Sequence, residues 1–178
     1  MKTPAAAIFV ILAGLLLAGC YMSEAMLLNS AEAVHPVATG RQTTTSDGRT
    51  QQIEIEIDVA GWYVMEEVGD DKPSRVLFTP LTTIGQRTIM AFVTQQDGVY
   101  IYGLAERRGA QILLDLPTCG PGPARDVAMA HNAKAPAADT IGAACTFEYP
   151  DDIRGALIDY ARHPDIMREY ATLPAGPE

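Results

Sequence analysis

The hydrophobic pattern of the chain is most regular over residues 52–59, where apolar and polar side chains alternate in the segment QIEIEIDV. A period of two with β-branched residues is typical of a strand with one buried face and one solvated face. Glu54, Glu56 and Asp58 share the solvated face about 6.5–7 Å apart, which is too far to hold one cation closely. We interpret them as a water-exposed row that discourages pairing between sheet edges.

Further strands are predicted after this one. They cover residues 62–65, 75–79, 88–95, 99–104 and 111–116, with a short additional strand at 144–149. Asp97-Gly98, between the fourth and fifth strands, is typical of a two-residue hairpin turn. That turn places Phe92 opposite Gly103. Both faces of this hairpin are apolar, so we expect it near the centre of the sheet.

The C-terminal part of the chain predicts a helix over residues 152–162. Its apolar positions follow a spacing of three and four residues: Ile153, Ala156, Leu157, Tyr160 and Ala161. This spacing places them on one face of an amphipathic helix, with Asp151 as the expected N-cap. A second helical segment is expected from Pro164 to about residue 173.

Consecutive hairpins followed by a helix predict an α+β protein. We expect a curved antiparallel sheet, a meander of about six strands, with the C-terminal amphipathic helix packed on one face. A small barrel or a sandwich is the alternative architecture.

The first twenty residues read MKTPAAAIFVILAGLLLAGC. Lys2 followed by an apolar stretch over 5–18 is typical of a secretory signal. About 15 apolar residues would span only ~22 Å as a helix, against a hydrocarbon core of ~30 Å, which disfavours an uncleaved membrane anchor.

Leu17-Ala18-Gly19-Cys20 resembles the lipobox of bacterial lipoproteins. In that family the Cys thiol receives a diacylglyceryl group, a signal peptidase cuts before the Cys, and the new amine is usually acylated. The resemblance implies lipid attachment at Cys20 and stable anchoring through two or more acyl chains. Tyr21 stands where Asp would retain such a protein in the inner membrane, which implies the periplasmic face of the outer membrane, with the inner membrane as the alternative. The alternative is an ordinary cleaved signal followed by a Cys.

The domain boundaries follow from these features. We expect a signal peptide over 1–19, a lipidated N-terminus and tether over 20–51, a single β-rich domain over 52–173, and a tail over 174–178. The polar stretch GRQTTTSDGRTQQ would serve as the spacer, while residues 25–28 could form a helical turn or an added strand.

Composition narrows the range of partners and compartments. The 178 residues carry a net charge of −9, which disfavours a nucleic-acid partner. Besides Cys20, the chain has two cysteines, Cys119 and Cys145. Because an exported protein folds in an oxidising compartment, we predict a disulfide between them. A metal site that includes His131 is the alternative, but the spacing lacks the close paired ligands of zinc motifs.

The chain shows no recognisable catalytic motif. GxSxG, HExxH, P-loop and GxGxxG patterns are absent, and His35, His131 and His163 have no triad or ligand spacing. We therefore assign no catalytic residue, metal or cofactor. Trp62 and Tyr63 are a candidate binding surface for a glycan or a peptide, with a place in the sheet core as the alternative.

A second resemblance covers roughly residues 60–163. The order of PL, YGL, LPxC and CxF motifs between strands, at 80–81, 102–104, 116–119 and 145–147, is similar to proteobacterial lipoproteins of unknown function. These motifs are structural, so the resemblance implies no activity.

Together these features predict a membrane-anchored envelope lipoprotein that is not an enzyme. We expect a binding or assembly module for an envelope protein or small ligand. The alternative is a periplasmic inhibitor or ligand-binding lipoprotein, for example one that blocks a cationic lytic enzyme. An enzyme with an unfamiliar site is the third hypothesis.

Overall fold

The computed structural model describes residues 20–46, 49–67, 73–137, 144–163 and 171–176. Antiparallel β-sheet dominates these ranges and two α-helices accompany it, so the prediction of a sheet-dominated α+β protein is confirmed. The predicted signal segment 1–19 and the first part, 164–170, of the second predicted helical segment lie outside them. Neither helix in these ranges has the length and hydrophobicity that crossing a bilayer requires.

The elements have the following bounds. The strands are β1 (Tyr21–Ser23), β2 (Gly40–Ser46), β3 (Arg49–Ile57), β4 (Tyr63–Glu67), β5 (Ser74–Ile84), β6 (Arg87–Gln96), β7 (Val99–Arg108), β8 (Gln111–Asp115), β9 (Cys145–Thr146) and β10 (Ala171–Pro174). The helices are α1 (Pro123–Ala130) and α2 (Pro150–Ala161), and one 3₁₀ turn covers Ser30–Glu32.

The strands form one sheet in the order β10-β8-β7-β6-β5-β4-β3-β2, so that β2 to β8 are a meander of neighbouring antiparallel strands. Strand β1 pairs antiparallel with the first part of β7 and parallel with β9. Ten strands are therefore present within the described ranges, against about six expected. The extra strands are short, or polar on both faces like β2, and such segments give little hydrophobic pattern.

The sheet curves until its two ends meet. Val37, just before β2, forms an antiparallel bridge with Ala175, just after β10. The Ala38 amide donates to the Pro174 carbonyl at 3.0 Å, and the Gly176 amide donates to the Pro36 carbonyl at 2.7 Å. Residues 174–176, which were predicted to be part of the tail, thus join the two ends of the sheet.

Both faces of the central strands are buried, as expected for the hairpin of β6 and β7. One face packs under the helices, and its cluster includes Leu77, Val93, Tyr102, Ile153 and Leu157. The other face is enclosed by the curved sheet itself, and its cluster includes Ile55, Tyr63, Phe78, Phe92 and Leu173. The fold therefore has two hydrophobic cores that share one sheet.

The register of the central hairpin follows from its turn. Asp97 and Gly98 have φ angles of 49° and 84°, the left-handed values that a two-residue hairpin turn requires. Phe92 pairs with Gly103, as predicted. A Cβ atom at Gly103 would lie 2.4 Å from the Phe92 ring and 2.5 Å from the Asp115 carbonyl oxygen, so only glycine fits there.

Two predictions about the helical part need correction. Helix α2 buries the five apolar residues of the predicted face, but its N-cap is Tyr149, and Asp151 lies inside the first turn. An acidic residue there stabilises the helix through its dipole. Ala171–Pro174 is strand β10 instead of the end of a helix, because it pairs with β8 and buries Leu173 against the inner cluster.

We predict that Gly103→Ala lowers the free energy of unfolding by about 1–3 kcal/mol, because the added methyl group overpacks the site. The midpoint of urea unfolding would measure this loss. Gly120→Ala is the matched control, because nothing lies within 4 Å of the added Cβ atom at that position. Equal midpoints for the two variants would contradict the packing assigned to Gly103.

Candidate functional site

The structure places each of the three histidines in a different setting. His35 lies 3.2 Å from the Gly61 carbonyl oxygen, and His131 Nε2 lies 2.8 Å from an Asp159 carboxylate oxygen. His163 follows α2 and is exposed. In the part of the chain that the structure describes, no three His, Cys, Asp or Glu side chains converge as metal ligands.

The predicted binding surface at Trp62 and Tyr63 is wrong, because both side chains are buried. Trp62 is 8% exposed in the cluster under the helices, with the Arg75 guanidinium 5.2 Å from the centre of its ring. Tyr63 is fully buried in the inner cluster, and its hydroxyl bonds both the amide and the carbonyl of Val37 at 3.0 Å. Burial raises the pKa of Tyr63 to about 12. The Trp62 ring therefore packs in the cluster under the helices, and the Tyr63 ring packs in the cluster on the opposite face of the sheet.

The structure brings the predicted cysteine pair together. Cys119 and Cys145 form a disulfide with Cα atoms 5.5 Å apart, and both residues are fully buried. The bond ties the chain after β8 to strand β9. Helix α1 lies between the two cysteines, in a segment whose sequence showed little apolar pattern.

Cys20 lies beside this disulfide, although the sequence assigned it to a tether. Its backbone forms an antiparallel bridge with Thr118, and its carbonyl accepts the Cys145 amide at 3.1 Å. The residue is 2% exposed, and burial raises the pKa of its thiol to about 11. The sulfur is therefore protonated at neutral pH and shielded from reagents in the folded chain.

Strand β1 is held mainly by Tyr21, which is fully buried. Its hydroxyl donates to the Ala124 carbonyl, and its ring packs edge-on against Phe147 with centroids 5.1 Å apart. One residue further on, the Met22 carbonyl accepts the Phe147 amide at 2.9 Å. The chain therefore joins the sheet as soon as the described residues begin, through the Cys20 bridge and strand β1.

The position of β1 follows from the way β8 ends. β8 pairs with β7 only as far as Asp115, opposite Leu104, and Pro117 lies in the chain that then turns away. This leaves the first half of β7 with an open edge, and β1 fills it by pairing Tyr21 with Tyr102. Three residues are too few for a periodic signal, so sequence patterns did not reveal this strand.

A cleft of about 530 Å³ opens between the residues before β2 and the ends of β5 to β7. Its apolar lining includes Val34, Pro36, Pro80 and Met90, and its polar lining includes His35 and Arg107. The Arg107 guanidinium also donates to the Gly176 carbonyl at 2.7 Å, so it is fixed in position. The cleft can accommodate a small molecule with an apolar body and a negative end.

A buried carboxylate lies on the other face of β7. Glu106 is 3% exposed and accepts from Arg87 at 2.7 Å and from Arg108 at 3.0 Å. Burial by itself would raise the pKa of Glu106, but the two guanidinium groups hold it below its usual value. The arrangement is a structural ion-pair cluster at the ends of β6 and β7.

Comparisons provide no relative from which a function could be transferred. No protein-family model, curated protein or solved structure matches this chain. The geometry alone gives two candidate sites: the contact of Cys20 with the Cys119–Cys145 disulfide region, and the cleft beside Arg107.

We predict that Glu106→Gln destabilises the fold by about 1–2 kcal/mol near neutral pH, because two charge-assisted hydrogen bonds lose their anion. The folded-state pKa of Glu106 is lowered, so its contribution is present above the unfolded-state pKa and is lost as pH falls through the folded value. Urea unfolding of both proteins along an acid titration would test this. A difference that persists unchanged in acid would contradict the assignment.

We predict that replacing both Cys119 and Cys145 with alanine lowers the free energy of unfolding by about 3.5 kcal/mol, because the unfolded chain regains the freedom of the closed loop. Urea unfolding measures the loss. Reductant should destabilise the unmodified protein and leave the double variant unchanged. Mass mapping that finds a reactive thiol at either position in the denatured, unreduced protein would refute the bond.

Proposed function

We propose that this chain is a lipid-anchored protein of the bacterial envelope whose folded domain is a non-enzymatic binding or assembly module. The observation that carries the proposal is Leu17-Ala18-Gly19-Cys20, which overlaps the end of the apolar stretch over 5–18. Two or more acyl chains at Cys20 would hold the domain stably on a membrane.

The disulfide between Cys119 and Cys145 supports export. Such bonds persist in oxidising compartments and are rare in the cytosol of most organisms. Tyr21 in place of Asp supports the periplasmic face of the outer membrane. In this proposal α2 is the predicted amphipathic helix, and its buried side chains cover one core of the module.

The cleft favours a second candidate, a ligand-binding lipoprotein. Its lining combines apolar surface from Met90 and Pro36 with the guanidinium of Arg107. Small-molecule sites commonly pair an apolar wall with a few placed polar groups. The ligand class that fits this combination is a small amphiphile with a carboxylate or phosphate.

We predict that Cys20→Ala abolishes incorporation of labelled palmitate and releases the protein from the membrane fraction. The physical reason is the loss of the only sulfur that the lipobox offers for acylation. Labelling in cells followed by fractionation measures both effects.

Met22→Ala is the matched control, because it truncates a half-buried side chain of β1 two residues after Cys20 and leaves the Cys20 sulfur in place. This control should retain the label and stay with the membrane. Unchanged palmitate labelling of Cys20→Ala would refute the proposal. Loss of membrane retention in both variants would show that docking of β1, instead of lipid, holds the protein there.

A further inference from the structure

The structure leaves almost no free chain between the proposed lipid and the folded body. Tyr21 is anchored by its buried ring, by its hydroxyl bond to Ala124 and by backbone pairing with Tyr102. Consecutive Cα atoms are about 3.8 Å apart, so Cys20 cannot move far from this anchor. Even if the Cys20 side chain turns outward to release its acyl chains, they leave the domain at one defined place.

The segment that forms the bridge with Cys20 has no charged side chain. Residues 116–124, called the loop below, run from the end of β8 into the first turn of α1. They read LPTCGPGPA, and Thr118 among them forms the bridge with Cys20. Thr118, Pro121, Gly122 and Pro123 are exposed. The loop differs in this respect from the chain as a whole, which has a net charge of −9.

This absence of charge suits contact with lipid. Charged side chains lose hydration when they are pressed against a bilayer, and acidic ones are also repelled by anionic head groups. The first charged residue after the loop is Arg125, whose guanidinium is held by the carbonyls of Cys119 and Pro136. The acidic row of β3 lies four strands away from β7 in the sheet order.

We propose that the anchor at Cys20 holds the domain directly on the bilayer, with the loop over 116–124 turned toward the lipid. The inference rests on the proposed lipidation of Cys20. It replaces the tether expected over 20–51 with a rigid attachment, because β1 begins at Tyr21, directly after Cys20, and pairs with β7. The domain then has one orientation on the membrane and lies against it. A flexible tether would allow many orientations and distances.

Quenching of tryptophan by brominated phospholipids tests this orientation. The lipidated protein is reconstituted in vesicles of phosphatidylcholine, and Trp62→Phe removes the single native tryptophan. Pro121→Trp then reports on the loop, and Glu56→Trp reports on the exposed face of β3. Thr118→Trp is a second loop reporter, in case Pro121→Trp does not fold.

We expect brominated lipid to remove most of the emission of the loop reporter and to leave that of Glu56→Trp unchanged. A flexible Gly/Ser insertion of ten residues between Cys20 and Tyr21 adds a reach of roughly 17 Å and should abolish the quenching. This insertion keeps the lipid and strand β1 and gives up only the backbone contacts of Cys20 with Thr118 and Cys145, so it isolates the effect of rigid attachment.

The remaining outcomes overturn one claim or both. Equal quenching of both reporters, or of neither, in protein that floats with the vesicles would overturn the orientation and leave lipidation intact. Protein that does not float, with an unmodified N-terminal peptide by mass, would overturn both the lipidation and the inference.

Discussion

The β6–β7 hairpin is apolar on both faces, and the need to cover both faces shapes the rest of the molecule. A flat sheet with one layer of helices would leave one of these faces in water. Here the helices cover one face, and the sheet curves until the residues beside β2 and β10 meet, which encloses the other. The disulfide joins the chain that leaves this sheet to the chain that returns after α1.

The parts of the fold that could be predicted from the sequence are those determined by residues close to one another along the chain. The Asp97-Gly98 turn determines the pairing of Phe92 with Gly103, and helical spacing identifies the buried face of α2. Strands β1 and β10 have three and four residues, and their partners are distant in sequence. Tyr21, for example, pairs with Tyr102, and no local pattern encodes such a contact.

The candidate site shows the same division. The disulfide could be predicted because two cysteines remain besides Cys20 and because the signal segment predicts an oxidising compartment. The position of Cys20 beside that pair could not, because it depends on an edge that β8 leaves open on β7. For Trp62 and Tyr63 the sequence left open a binding surface or the sheet core, and a sheet covered on both faces buries both.

For the proposed lipidation, the burial of Cys20 would set an order of events. Any enzyme that acts on this sulfur must reach it while β1 is still undocked, because the folded chain shields it at 2% exposure. In the proposed lipidation, modification of Cys20 and docking of β1 would therefore compete in time. A chain that folds too early would hide its own acceptor, whereas delayed closure of the β7 edge would keep the acceptor available.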